Sequence, residues 1–154
     1  MEREGITATP GTKETTMKYI ILTYGTQQDY DAMAGRGGIG PTLSPEDFAP
    51  MGAFMEAFTN ELIDSGELVD NRGLSDPVHA RRVQMQDGVP VVTDGPYAET
   101  QEVLAGYWIV ECDSFDRATA IAARLADCPS PGGIFADSVA DIRPLDEFSD
   151  SPEG

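Results

Sequence analysis

The clearest periodic segment of the chain runs from Phe48 to Leu62. Phe48, Met51, Met55, Phe58 and Leu62 recur at spacings of three, four, three and four, which places one apolar stripe along a helix. Ser44-Pro45-Glu46-Asp47 supplies an N-cap, a proline at the first helical position and early acids, and Gly66 supplies the stop. Pro50 removes a backbone donor from the first turns, so the pattern predicts a kink, or a separate first turn with the main helix restarting near Pro50. Such a Met and Phe stripe reads as core rather than as a cofactor box. A second helix follows Ser114, with Phe115, Ala118, Ile121, Ala122 and Leu125 on one face.

Period-two and β-branched segments fill the intervals. Lys18 to Tyr24 reads as a central strand, and Val103 to Cys112 as a buried one. Leu68, Val69 and Leu74 suggest a strand interrupted at Asn71 to Gly73, and Ser138 to Arg143 gives the last strand. Arg81 to Gln86 alternates, Asp87-Gly88 signals a hairpin turn, and Val89 to Thr93 returns, with Pro90 marking an edge. Gly25 to Thr42 carries Gly35, Gly37, Gly38 and Gly40 and reads as a long flexible loop; no Lys-Ser/Thr follows, so it is no phosphate loop. The order β-α-β, hairpin, β-α-β predicts an α+β fold of ferredoxin-like type, with an antiparallel four-stranded sheet and both helices on one face. That arrangement leaves the other sheet face bare, so a homodimer with facing sheets is expected.

Composition narrows the function classes. The 154 residues suit one domain, here 17–145, preceded by a disordered extension (1–16) and followed by a mobile acidic tail (146–154). Twenty-seven acids against ten bases give a net charge of −17, which repels nucleic-acid phosphates and anionic lipid surfaces. No apolar run is long enough to span a bilayer and residues 1–16 lack an apolar signal core, so a cytoplasmic protein is expected. Cys112 and Cys128 form no C-x-x-C pair and read as buried thiols. One histidine and two scattered cysteines make no zinc set, and Walker, dinucleotide and Ser-nucleophile motifs are missing, so neither metal nor cofactor is expected.

Candidate chemistry gathers in Asp94-Gly95-Pro96-Tyr97-Ala98-Glu99-Thr100-Gln101-Glu102, where three carboxylates and a phenol share nine residues without a base. Asp94 either caps the Gly95-Pro96 turn or serves as a general base whose pKa is raised by burial and by Glu99 or Glu102. Tyr97 is a packed ring or a hydrogen-bond donor to a phenolic ligand. Glu99 and Glu102 are rim charges or partners for Arg81, Arg82 and Arg143. His79, in the loop Asp76-Pro77-Val78-His79, is an exposed side chain or a catalytic assistant brought near Asp94. The catalytic candidates are therefore Asp94, Tyr97, Glu99 and His79; Gly95, Pro96, Thr100, Glu102 and Arg143 are ligand or structural candidates.

The run from Asp94 to Glu102, followed by Gly106-Tyr107, resembles the signature of the DGPF proteins, a branch of the YCII-related superfamily. Lys18-Tyr19, Gly66-x-Leu68, Gly73-Leu74 and Asp141-Ile142-Arg143-Pro144 fit the same pattern, over about residues 17–145. Tyr97 stands where Phe is usual and Asp141 where Glu is usual. The resemblance implies a dimeric α/β-barrel fold, frequent encoding beside extracytoplasmic-function sigma factors, and no assigned reaction for most members. In the wider group a His on the first helix and an Asp are proposed as a catalytic pair, and a relative removes chloride from a chlorinated hydroxyhydroquinone. Here the Ser44 to Gly66 helix has no His; Met55 falls near that position. Three readings stand side by side: a cofactor-independent acid–base enzyme on a small, phenolic-type substrate, a non-catalytic ligand-binding or regulatory dimer linked to a sigma factor, or a purely structural motif that fixes a turn at the dimer cleft.

Overall fold

A computed structural model describes residues 16–36, 43–135 and 137–146. Residues 1–15, nearly all of the expected disordered extension, lie outside the described residues, as do 37–42 of the Gly-rich loop and 147–154 of the tail. Thr16 is in place, and its hydroxyl donates to Glu111 Oε2 at 2.7 Å.

Four strands form one antiparallel sheet: β1 (Met17–Gly25), β2 (Leu68–Gly73), β5 (Val103–Cys112) and β6 (Ala140–Pro144), in the order β2-β5-β1-β6. The strand expected to be central, β1, and the one expected to be buried, β5, take the two middle places. β1 runs against β5 from Met17↔Cys112 to Gly25↔Val103, with a register shift between Thr23 and Tyr24, and against β6 from Tyr19↔Pro144 to Thr23↔Ala140. β2 corrects the sequence reading, because it continues through Asn71 to Gly73 instead of breaking there. Pairing with β5 overrides the weak local propensity, and Gly73 lies under Gly106, where a Cβ would meet Arg72 O at 2.8 Å. β3 (Arg81–Gln86) and β4 (Val89–Asp94) form a separate two-stranded hairpin. Its turn puts Asp87 at φ 53° and Gly88 at φ 79°, the left-handed pair that an Asp-Gly turn supplies.

Alternation along β1 and β5 turns Tyr19, Ile21, Trp108, Val110 and Cys112 to one side of the sheet. Two helices cover that side: α2 (Ala49–Asp64) brings Phe58 and Leu62, and α3 (Phe115–Ala123) brings Ala118, Ile121 and Ala122. Burying each large side chain here contributes about 1.5–3 kcal/mol, and Phe58 meets Trp108 edge-on with centroids 5.4 Å apart. The difficulty at Pro50 is resolved as the spacing predicts. Pro45–Phe48 forms a separate 3₁₀ turn under Ser44, and α2 restarts at Ala49 with Pro50 in its first turn, where no helical donor is needed. The result is an α+β domain with antiparallel sheets.

The segment expected to be a loop from Gly25 onwards begins instead as α1 (Gln27–Met33). Thr26 Oγ1 accepts from Asp29 N–H at 3.1 Å while Asp29 Oδ2 accepts from Thr26 N–H at 2.9 Å, a reciprocal capping box.

Candidate functional site

Three short segments meet at one edge of the domain: the start of α1, the turn Pro77–His79, and the motif that follows β4. Backbone bonds lock them together. Gln28 N–H donates to Glu99 O at 3.1 Å, and Gly95 N–H donates to Ala80 O at 2.8 Å. Gly95 sits at φ 53°, and a Cβ there would come within 3.2 Å of Val78 O, so both conformation and space require glycine.

The organising side chain is Gln27, buried at 8 % exposure because the capping box turns the first helical position inward. Its Nε2 donates to Asp31 Oδ1 at 3.0 Å and to Asp76 Oδ2 at 2.8 Å, while its Oε1 accepts from Val78 N–H at 2.8 Å. Arg36 closes the group, with Nη2 at 3.1 Å from Asp31 Oδ1 and 3.5 Å from Asp76 Oδ2. The second oxygen of Asp76 faces His79 Nε2 at 3.4 Å. The hydrogen bond from Gln27 holds the Asp76 carboxyl below the usual carboxylate range, assisted by its own backbone and by His79 and Arg36, and against the opposing effect of burial. Asp76 is thus an ionised acceptor at neutral pH.

These groups line an open cavity of about 550 Å³ together with Val78, Gly95, Tyr97 and Glu99. Three catalytic candidates from the sequence, His79, Tyr97 and Glu99, therefore share one cavity, with the candidate Gly95 beside them. His79 is exposed, as a lone loop histidine usually is, yet its Asp76 partner and its neighbours give it a defined setting. Asp94 is not in the lining. Its side chain is 74 % exposed and its Oδ1 accepts from Arg81 Nε at 2.7 Å, so it lacks the buried setting that the general-base reading calls for. Arg82 lies over the Tyr97 ring, 5.2 Å from the centroid. The arginines flanking the hairpin thus serve Asp94 and Tyr97.

The remaining candidates lie elsewhere. Pro96 is half-buried in the turn, and Thr100 and Glu102 are exposed. Arg143 pairs with Ile20, whose neighbours Tyr19 and Ile21 face the helices, so Arg143 belongs to the opposite sheet face. There it accompanies Tyr24, whose hydroxyl donates to Asp141 Oδ2 at 2.7 Å; that bond, with burial, raises the phenol above its ordinary value. Gln27, Asp31, Arg36 and Asp76 were not among the sequence candidates. Thr26-x-x-Asp29 was the available signal for the first three, because it marks a helix start and makes Gln27 and Asp31 neighbours one turn apart. Among the described residues, no group of three or more His, Cys, Asp or Glu side chains is placed to hold a metal ion, and no helix is long and apolar enough to cross a membrane.

Comparison with known proteins agrees with the resemblance carried by the motif. A relative in Rhizobium meliloti (strain 1021), named Uncharacterized protein R00369, is 30 % identical over 92 residues, covering 59 % of this chain and 69 % of the relative. The YCII-related domain matches residues 17–140, which include both the Asp76–His79 turn and the Asp94 motif, and the chain belongs to that family.

Proposed function

We propose that this YCII-related protein is a cofactor-independent acid–base enzyme acting on a small substrate with an ionisable, phenol-like hydroxyl. The observation that carries the reading is the Asp76–His79 pair at 3.4 Å inside a cavity shared with Tyr97 and Glu99. Asp76 faces Nε2 and fixes the ring, which leaves Nδ1 for the substrate proton. Tyr97 supplies a hydroxyl that donates or accepts, Glu99 a second carboxylate, and Arg36 a positive charge for the anion formed when the substrate loses its proton. Asp94 supports the site from outside by anchoring the end of the hairpin through Arg81.

Turnover of a panel of small phenols, chlorinated ones included, tests this. His79→Gln and Asp76→Asn are expected to lower the rate about 10²–10⁴-fold with the circular dichroism spectrum unchanged. Asp94→Asn, at an exposed pair worth roughly 0–1 kcal/mol, leaves the rate within a few-fold. A collapse confined to Asp94→Asn would transfer the base to Asp94. Binding without turnover would favour the second reading, a ligand-binding or regulatory protein, which the openness of the cavity and the 68 % exposure of His79 also suit. An association with a sigma factor rests on the family resemblance alone.

The same reading takes the fold as a ferredoxin-like plait that dimerises through its uncovered sheet face into an α/β barrel, in the cytoplasm. Two features support a dimer. Ile20, Leu22, Tyr107 and Ile109 lie on the sheet face away from the helices, and the hairpin exposes Val83, Met85 and Val92 on one side. A monomer by sedimentation at micromolar concentration would overturn this part.

A further inference from the structure

A second cavity, of about 770 Å³, opens between the sheet, α2, α3 and the segment that leads into β6. Met33, Met51, Met55, Leu125, Phe135 and Ile142 form its principal apolar walls. None of the nineteen described residues that line it is charged, although charged residues make up 24 % of the chain. Two of the polar groups on the walls are occupied within the protein. Thr23 Oγ1 donates to Gly106 O at 3.2 Å and Thr119 Oγ1 to Phe115 O at 2.8 Å. Cys128, expected from the sequence to be a buried thiol, is half-buried in this wall, and burial raises its thiol, so it too is uncharged at neutral pH.

We infer that this cavity is a binding site for a neutral, largely apolar small molecule, separate from the Asp76–His79 site. Its volume lies within the roughly 300–1,000 Å³ of small-molecule pockets. Water gains few hydrogen bonds from walls that are mostly apolar and whose threonine hydroxyls already donate within the protein, so an apolar occupant displaces it at little cost. Three methionines, unbranched and polarisable, adapt their shape to a ring or a short chain. An anion finds no counter-charge in the lining and meets the field of a chain of net charge −17. A cation finds no carboxylate among the described lining residues. The neutral class is what remains.

Two fluorescent probes sharing one ring system decide the matter: N-phenyl-1-naphthylamine, which is neutral, and its sulfonated analogue 1-anilinonaphthalene-8-sulfonate. The full chain is expected to bind the neutral probe at least tenfold more tightly. Ala126 lines the cavity from an exposed position, so Ala126→Trp fills the space and Ala126→Asp charges it without touching the core. Each is expected to weaken the neutral probe at least tenfold with the unfolding midpoint preserved. Bound probe is also expected to slow alkylation of Cys128 several-fold, read by mass spectrometry, with buried Cys112 as the internal reference. Equal affinity for the two probes, binding indifferent to both substitutions, or an unprotected Cys128 would overturn the inference. Probe uptake that disappears as protein concentration rises would give the cavity to a second copy of the chain, and would also overturn it. His79→Gln leaves probe binding unchanged, so failure at one site is distinguishable from failure at the other.

Discussion

The two cavities of this small domain are built on opposite principles. The Asp76–His79 cavity is held by directed bonds between side chains that came close because three backbone segments were stapled together. Gln27 alone links Asp31, Asp76 and the Val78 amide. The apolar cavity is held by volume: Met55, Leu125 and Ile142 are continuations of the hydrophobic core, and no described residue of its lining is charged. Removing one polar group from the first strands its partners, because a buried group with no replacement loses its water as well as its bond. Removing a methyl group from the second only changes the contour of a space that is already open. The polar site should therefore be brittle and the apolar one tolerant.

The largest test of that contrast is Gln27→Leu. It leaves the Val78 N–H without its partner and Asp76 Oδ2 with only the 3.5 Å contact to Arg36, and is expected to cost roughly 2–4 kcal/mol by urea unfolding. Met55→Leu, a volume-conserving change in the apolar wall, is expected to cost less than about 1.5 kcal/mol. Equal losses would break the comparison.

Next in size is Gly95→Ala. A left-handed φ with an alanine Cβ pressed within 3.2 Å of Val78 O is expected to cost about 1–2 kcal/mol. Because Gly95 holds the motif against the Pro77–His79 turn, the His79 imidazole resonances should shift in the same variant while affinity for the neutral probe stays unchanged. A stability loss with unmoved His79 resonances would mean that the motif and the turn are not mechanically joined.

Much of this was legible in the chain, and the failures have identifiable causes. The core helices, the hairpin with its Asp87-Gly88 turn, and the two central strands follow from periodicity, because their side chains answer to one buried face. α1 was hidden. It is seven residues long, and the glycines beginning at Gly35 outweighed a capping box only four residues long, Thr26 to Asp29. That miss removed Gln27, Asp31 and Arg36 from view and left Asp94 as the most visible carboxylate, although density of acids in sequence says nothing about burial. Asp76 and His79 were in plain sight three residues apart. Their pairing depends on the local turn that Pro77 starts and on the Gln27 side chain that anchors it, and Gln27 is far from the pair in sequence. Tertiary contacts made the site; the sequence pattern made the scaffold.

The smallest expected effect concerns acid. Asp76 and Glu67 both have folded-state carboxyls below their ordinary values, the first chiefly through Gln27 and the second chiefly through Arg117, whose Nε and Nη2 each lie 2.8 Å from a Glu67 oxygen. A carboxyl depressed on folding contributes stability that is fully present above its unfolded pKa, near 3.8 for Asp76 and 4.5 for Glu67, and is lost as pH falls through the folded value. Stability of the wild type should therefore decline below about pH 4.5, and Asp76→Asn and Glu67→Gln should each remove part of the decline. The two carboxyls share no partner, so the double variant should show the sum of the two changes. Only Asp76→Asn should also disturb the His79 resonances. Neither should alter uptake of the neutral probe, since the apolar walls hold no titrating carboxyl. A probe affinity that fell across the same pH range in the wild type, but not in Asp76→Asn, would show that the two cavities are one coupled system and not two independent designs.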